Sequence, residues 1–253
     1  MRPAAITAAI AAFCLTAATP AAAGFRIQEV DPEFPKEVTT TWFQGGKVRV
    51  DGALEGLSVL IDVKGGEGWL IEAQGKRYAG GAITDLAGQL RKIEEDQARD
   101  EAAADETAEE SPRDAVPARP HAIQVKDLGA GETLLGYQTT RHQVLVDGEL
   151  LEELWLAPKV NVSSEVDLGA YQAALQRMLG GAAAASQGYE ESEAYRRLRS
   201  TGYPLRQVLY FVGEKTTLEV TAVAVETLPA SDFAIPKGFT RIGYTELLFG
   251  EAE

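Results

Sequence analysis

The sequence predicts a single α+β domain built on a strongly curved antiparallel β-sheet, an open half-barrel of about ten strands with two or three helices covering its concave face. Three observations predict this class. Apolar and polar residues alternate along much of the chain, glycine turns recur at hairpin spacing, and few segments show helical spacing. Because strands outnumber helices, the helices must bury their apolar stripes against the sheet.

The first 23 residues are typical of a secretory signal peptide, which we expect to be cleaved after about Ala23. Arg2 precedes the apolar run Ala4 to Ala18, which is shorter than the ~20 residues of a membrane span. The alternative is an N-terminal core helix. The signal predicts an exported protein located in the bacterial periplasm or, alternatively, secreted.

The mature chain, residues 24–253, is predicted to be acidic and free of cysteine. The full chain has 24 Lys and Arg against 38 Asp and Glu, and its only cysteine, Cys14, lies within the signal. Removal of Arg2 with the signal gives a net charge of −15, from 23 basic and 38 acidic residues. This composition excludes a disulfide framework and argues against a nucleic-acid partner. No later segment is long and apolar enough to span a bilayer, so the mature chain is predicted not to be transmembrane.

Residues 37–82 predict an antiparallel meander of short strands. Apolar residues such as Val59 and Ile61 alternate with their neighbours, which places them on one face of a sheet. Turns at Gly45-Gly46, Gly65-Gly66 and Gly75 come at hairpin spacing. No helix separates these strands, as a parallel arrangement would require.

A helix is predicted from Ile83 to about Ile93, followed by an acidic insert. The helix has one apolar stripe, formed by Ile83, Leu86, Leu90 and Ile93. From Glu94 to Glu110 nine acidic residues stand against Arg99 alone, and three prolines follow by residue 120. We therefore expect a disordered insert at about 97–120, serving as a solvated linker or as a segment that binds a cation or a partner.

The second half of the chain predicts two more hairpins and two helices. Asp147-Gly148 marks a turn between strands at 139–146 and 150–156. Ser164 and Asp167 have capping-box spacing before a helix with an apolar stripe, and a second short helix runs from 190 to 199 with Tyr195 and Leu198 facing inward. Strands at 205–212 and 217–225, an anchored loop at 228–239 and a tail complete the chain.

The chain shows no pattern typical of catalysis, of a metal site or of a cofactor site. Its two histidines, His121 and His142, stand apart, and no serine lies in a G-x-S-x-G elbow. Neither H-E-x-x-H nor EF-hand spacing is present, and Gly65-Gly66-Glu67-Gly68 is a hairpin turn and not a phosphate loop. We therefore expect a protein that is not an enzyme and that uses no cofactor. The alternative is a paired-carboxylate glycosidase site, but Asp62, Glu72 and Glu219 alternate with apolar neighbours and indicate a solvated face.

Turn and anchor patterns recur in the second half of the chain, at Gly136-Tyr137 with the later run Glu153 to Pro158, at Gly202 to Arg206, and at Leu228 to Phe239. Together they resemble a bacterial envelope family known as domain of unknown function 4412. The resemblance spans roughly residues 37–242. It implies a fold related to the LolA/LolB lipoprotein carriers, a bent antiparallel sheet closed by helices, and it carries over no catalytic residues.

Two functions remain open. The first is the binding of an apolar ligand, such as a lipid acyl chain or a lipoprotein, in a LolA-like cavity lined by aromatic and aliphatic residues. The predicted lining comprises Trp42, Val59, Ile61, Trp69, Trp155, Leu168, Tyr171, Leu175 and Met178. The second is an envelope interaction module with a filled core, whose sheet edge or loops bind another protein. The sequence does not specify the oligomeric state.

Overall fold

The computed structural model describes residues 23–104, 121–180, 189–211 and 214–250. Within these ranges the fold is α+β, with one open sheet of twelve strands and four α-helices. The predicted signal peptide lies outside the described residues except for Ala23. No helix within the described ranges is long and apolar enough to cross a membrane.

The sheet consists of two antiparallel meanders joined side by side. The first contains β1 (Gly24–Val30), β2 (Val38–Gln44), β3 (Lys47–Leu54), β4 (Leu57–Asp62), β5 (Glu67–Glu72) and β6 (Arg77–Ala82). The second contains β7 (Ile123–Leu134), β8 (Tyr137–Val146), β9 (Glu149–Ala157), β10 (Tyr203–Phe211) and β11 (Glu214–Glu226). Pairing of β1 with β11 joins the two meanders, and β12 (Thr240–Arg241) adds a short parallel strand beside β6.

The helices are α1 (Ile83–Ala104), α2 (Leu168–Leu179), α3 (Glu193–Arg199) and α4 (Tyr244–Phe249). Single turns of 3₁₀ helix occur at Val162–Ser164, Tyr189–Glu191 and Ala230–Phe233. The Asp167 side chain caps α2 by accepting the Ala170 N–H at 3.0 Å, and Ser192 caps α3 by accepting the Tyr195 N–H. The predicted capping box starting at Ser164 is wrong, because Ser164 closes the preceding 3₁₀ turn by donating to the Asn161 carbonyl.

The helices cover one face of the sheet, here called the inner face. Its central row runs across the first meander through Ile27, Thr41, Val50, Val59, Leu70 and Ala79, which are paired partners on adjacent strands. Buried residues of α1, α2 and α4 pack against this row in one apolar cluster. A second cluster on the same face joins Val144, Leu154 and Leu156 to Tyr195 and Leu198 of α3.

The opposite face, here called the outer face, is covered in part by the segment after β11. Leu228 and Phe233 are buried there with Leu60 and Ile71, and Trp42, Trp69, Tyr78, Ile235 and Phe239 pack around them. Arg49 holds the segment by donating to the Asp232 carbonyl at 3.1 Å. Phe233 and Ile235 therefore anchor the predicted loop, and they do so on a face of the sheet.

The structure has more elements than the sequence predicts. The meander at 37–82, both later hairpins and the two helices near 164–179 and 190–199 are confirmed. The predicted counts of about ten strands and two or three helices are too low, because β1 was not foreseen and the predicted tail forms β12 and α4. Helix α1 runs on to Ala104, so the first residues of the predicted insert are helical, and residues 105–120 lie outside the described ranges.

Candidate functional site

A cavity of about 450 Å³ lies between the inner face and helices α2 and α3. Strands β1, β2, β3, β10 and β11 form its floor, and one side of α2 together with the end of α3 forms its roof. The lining consists of Glu29, Val30, Asp31, Glu37, Thr39, Thr41, Phe43, Val50, Gly52, Ala53, Leu168, Tyr171, Gln172, Arg199, Tyr203 and Leu218. Glu37 and Ala53 are exposed and mark the rim.

Much of the wall is apolar because strand alternation and helical spacing both point apolar side chains inward. Phe43 and Tyr203 meet edge to face, with ring centroids 6.1 Å apart. Val50 and Leu218 extend this surface, and Leu168 faces it from α2. The wall therefore offers apolar contact to a ligand from two sides.

Charged groups line the same cavity. Glu29 of β1 and Arg199 of α3 lie within it, while Asp31 and Glu37 lie nearer its rim. Burial raises the pKa of the Glu29 carboxyl, and the positive charge of Arg199 offsets part of that rise. The cavity therefore combines an apolar wall with two half-buried ionisable groups.

The Arg199 guanidinium has no polar partner among the described residues. Its Cζ lies 5.9 Å from the Tyr195 ring centroid, and its buried Nη1 makes no hydrogen bond. Burial acts against its charge, but the surrounding acidic groups outweigh burial, so the pKa of Arg199 is raised and the side chain stays cationic. A guanidinium in this state offers unused donors to any ligand that enters.

A second buried carboxyl, Glu152 of β9, lies near Arg199 beneath α3. Its Oε1 accepts hydrogen bonds from Gln207 Nε2 at 2.6 Å and from the Tyr195 hydroxyl at 3.3 Å, whereas its Oε2 has no partner among the described residues. Burial raises the pKa of Glu152 to about 7, and the Arg199 charge opposes that rise. Glu152 does not line the cavity, so its position offers it no contact with a substrate there.

The described lining combines apolar side chains with carboxylates, hydroxyls and one guanidinium. Within the described ranges no group of three His, Cys, Asp or Glu residues is placed to hold a metal ion. Apolar contact, charge and hydrogen-bond donors are what this cavity provides.

The structure places two of the nine predicted lining residues, Leu168 and Tyr171, in this cavity. Val59, Ile61 and Met178 lie in the packed apolar cluster on the inner face, and Leu175 packs against it. These four side chains fill space between the sheet and helices α1 and α2. They are core residues of the region beside the cavity.

The three predicted tryptophans lie on the outer face. Trp42 and Trp69 pack around the anchored loop. Trp155 lies between two cations, with Arg141 Cζ 5.0 Å and Arg206 Cζ 5.4 Å from its ring. None of the three is in the cavity lining.

Sequence reasoning missed most of the polar part of the site, including Glu29, Arg199 and Tyr203. The sequence does contain a signal at Glu29. Phe25, Ile27 and Glu29 are alternate residues of β1, so the Glu29 carboxylate lies on the same inward side of the strand as two apolar side chains. Arg199 follows the inward residues Tyr195 and Leu198 along a short helix, but a basic residue at a helix end is common. Its spacing from Tyr195 and Leu198 places Arg199 on the inward side of α3, unlike the exposed Arg196 and Arg197.

Comparison with known proteins identifies a family. The family model described as a domain of unknown function, DUF4412, matches residues 101–239. This segment contains β7 to β11 and helices α2 and α3, which supply the roof and part of the floor of the cavity. No curated protein matches the chain.

Proposed function

We propose a function from the premise that this chain belongs to the DUF4412 family, whose model covers more than half of its length. The protein is an exported, non-enzymatic protein of the bacterial envelope that binds an apolar ligand, such as a lipid acyl chain. The binding site is the cavity between the inner face and helices α2 and α3.

The cavity itself is the observation that supports this proposal best. Its volume of about 450 Å³ lies within the ~300–1,000 Å³ typical of small-ligand sites. Removing apolar surface from water is favourable. A ligand with an apolar chain would gain by displacing water from Phe43, Val50, Leu168 and Leu218.

The shape of the sheet supports a LolA-like arrangement. Its outermost strands, β12 and β7, do not pair with each other, so the sheet stays open, and all four helices adjoin its inner face or that face's margin. A half-barrel with helices on its concave face has these features. In such a fold a ligand lies between the sheet and the helices, where the cavity is found.

The position of β1 is compatible with export. The strand begins at Gly24, the residue after the predicted cleavage point, so removal of residues 1–23 would leave its pairing with β2 and β11 intact. We propose the periplasm as the location, with secretion as the alternative. N-terminal sequencing of the exported protein should begin at Gly24; an intact Met1 in the membrane fraction would contradict this.

Native mass spectrometry of protein purified from the periplasm tests the binding function. We expect a co-purified lipid whose mass is lost on denaturation. Thr39→Trp should abolish retention, because Thr39 lines the cavity. Thr40→Trp is the matched control, since the next residue on β2 points to the outer face. Lipid-free wild-type protein, or equal retention by both variants, would refute the proposal.

One observation favours the second candidate, an envelope interaction module. Among the described strands β7 is an edge strand that pairs with β8 alone, and most of its side chains, including Leu128 at 44% exposure, face solvent. An edge of this kind offers backbone groups to a strand from another protein. In that case the same mass spectra should show a protein partner and no lipid.

A further inference from the structure

We propose that Arg199 binds the anionic headgroup of the ligand, so that the cavity selects single-chain amphiphiles ending in a carboxylate or a phosphate. This inference rests on the ligand-binding function proposed above and adds the chemical class of the ligand. Three features support the inference: the guanidinium of Arg199, the carboxyls near it and the apolar wall of the cavity.

The first observation is an unpartnered donor on a cation. A guanidinium carries five N–H donors. The Arg199 side chain is half-buried, and its Nη1, which is shielded from solvent, has no hydrogen-bond partner among the described residues. A shielded donor without an acceptor is unfavourable, so the free protein keeps this arrangement at a cost that an anion would remove.

The second observation is that the nearby carboxyls do not contact this guanidinium directly. Glu29, Glu152 and Glu190 are close enough to affect Arg199 electrostatically, yet among the described residues none forms an ion pair with it. Burial raises the pKa of all three carboxyls, and the Arg199 charge offsets part of that rise. The donors of Arg199 Nη1 are therefore left without a hydrogen-bonded counter-charge.

The third observation is the position of Arg199 between two spaces. It lines the 450 Å³ cavity beside Phe43 and Leu168, and it also lines an adjoining space of about 360 Å³ near the start of α2. A ligand bound here meets an apolar wall and a cation together. The carboxylates nearer the rim, Asp31 and Glu37, are half-exposed and exposed, so solvent and salt screen their repulsion of an anion.

The geometry of a guanidinium narrows the ligand class. Its planar fork of donors matches the paired oxygens of a carboxylate or a phosphate, and such charge-assisted bonds are stronger than neutral ones. A fatty acid and a lysophospholipid share this chemistry, each with one acyl chain. An uncharged amphiphile would make the apolar contacts with the wall but would not neutralise the charge of Arg199.

Four probes with the same twelve-carbon chain test the headgroup: dodecanoate, dodecyl phosphate, dodecanol and dodecylammonium. Their affinities for the wild-type protein are measured by calorimetry below the micelle concentration. We expect one or both anionic probes to bind roughly tenfold to a hundredfold more tightly than dodecanol, and dodecylammonium to bind no better than dodecanol. Preference for the carboxylate indicates a fatty acid, and preference for the phosphate indicates a phospholipid product.

A pair of variants assigns the preference to Arg199. Arg199→Gln should reduce the anionic affinities to that of dodecanol and leave dodecanol unchanged. Arg197→Gln removes the same charge from the exposed side of α3, where Arg197 pairs with Glu193, and should keep the preference. Unfolding curves establish that both variants are folded. The wild-type ranking of probes needs no variant and tests selectivity even if Arg199→Gln fails to fold.

The results separate this inference from the proposed function. If dodecanol and the anionic probes bind equally to the wild type, or if Arg199→Gln keeps the anionic preference, the headgroup site is refuted while ligand binding stands. If dodecylammonium binds most tightly, the acidic groups and not Arg199 select the headgroup, which also refutes it. If no probe binds, including dodecanol, both the inference and the proposed binding function fail.

Discussion

The two halves of helix α2 face the same side of the sheet but have different surroundings. Met178, near the C-terminal end, is fully buried, and Leu175 packs against the same apolar cluster. Leu168 and Tyr171, near the N-terminal end, line the cavity. One apolar stripe therefore serves both as core and as cavity wall.

Neighbours from distant parts of the sequence cause this difference. Opposite Met178 the sheet has Gly68, whose lack of a side chain leaves room for the methionine, and the Tyr244 hydroxyl of α4 donates to the Met178 carbonyl. Opposite Tyr171 the floor has Thr39, Thr41 and Glu29, which are short or polar. Helical spacing predicts which side of α2 is buried, but the facing strands decide whether the space beneath it is filled.

The largest expected effect compares the same substitution in the two halves. Met178→Asp should lower the free energy of unfolding by roughly 3–5 kcal/mol, because it opens a cavity and buries a carboxylate. Leu168→Asp should cost about 1 kcal/mol or less, since the residue is half-buried beside open space, and should weaken ligand retention instead. Chemical denaturation with native mass spectrometry measures both; equal destabilisation would mean that the two halves are packed alike.

The next effect concerns pH, because the region near the cavity contains a buried carboxyl. Folding raises the pKa of Glu152 from its ordinary value of 4.5 to about 7. The stability that Glu152 contributes in its protonated form is therefore fully present below pH 4.5 and is lost as the pH rises through 7. Relative to Glu152→Gln, the wild type should lose about 3 kcal/mol between pH 4.5 and pH 8.

Glu153→Gln is the control for this measurement. Glu153 is the next residue on β9, and its carboxyl lies on the outer face of the sheet. Burial acts to raise the pKa of Glu153, but hydrogen bonds from Gln143 and Arg141 outweigh burial and hold the pKa below its ordinary value. The stability that Glu153 contributes is therefore lost as the pH falls, which is the opposite trend. Denaturant titrations across the pH range measure both, and parallel curves for wild type and Glu152→Gln would contradict the assignment.

The smallest effect tests how much space each region has. Ala79→Leu should destabilise the protein by roughly 1–3 kcal/mol, because Ala79 is fully buried in the packed apolar cluster of the inner face. Ala53→Leu at the cavity rim should change the unfolding free energy by no more than about 0.5 kcal/mol. Thermal and denaturant unfolding report both values, and a large penalty at Ala53 would show that the rim is tightly packed.

The sequence predicts the elements of this fold better than the site. Local patterns suffice for the first meander, the Asp147-Gly148 hairpin and the stripe of α2, because alternation, turn residues and helical spacing act over short distances. The face on which a side chain lies depends on register. Trp69 pairs with Leu60 on the outer face, while the adjacent Leu70 pairs with Val59 on the inner face.

The cavity could not be predicted because it is formed by strands and helices that are far apart in sequence. Tyr171 and Leu168 were foreseen from the helical stripe alone. Arg199 gains its significance from the absence of a partner in the folded protein, which no local pattern reveals.

The central place of β1 in the sheet has a consequence for how the chain folds. Gly24 pairs with Glu226, so β1 finds its second neighbour only when all the chain between β1 and β11 is available for pairing. Each meander is local in sequence, but the seam that joins them is not, and such long-range closure slows folding. We expect the two meanders to form early and the β1–β11 seam to close last. Until it closes, β11 exposes an unpaired edge to the other proteins around it.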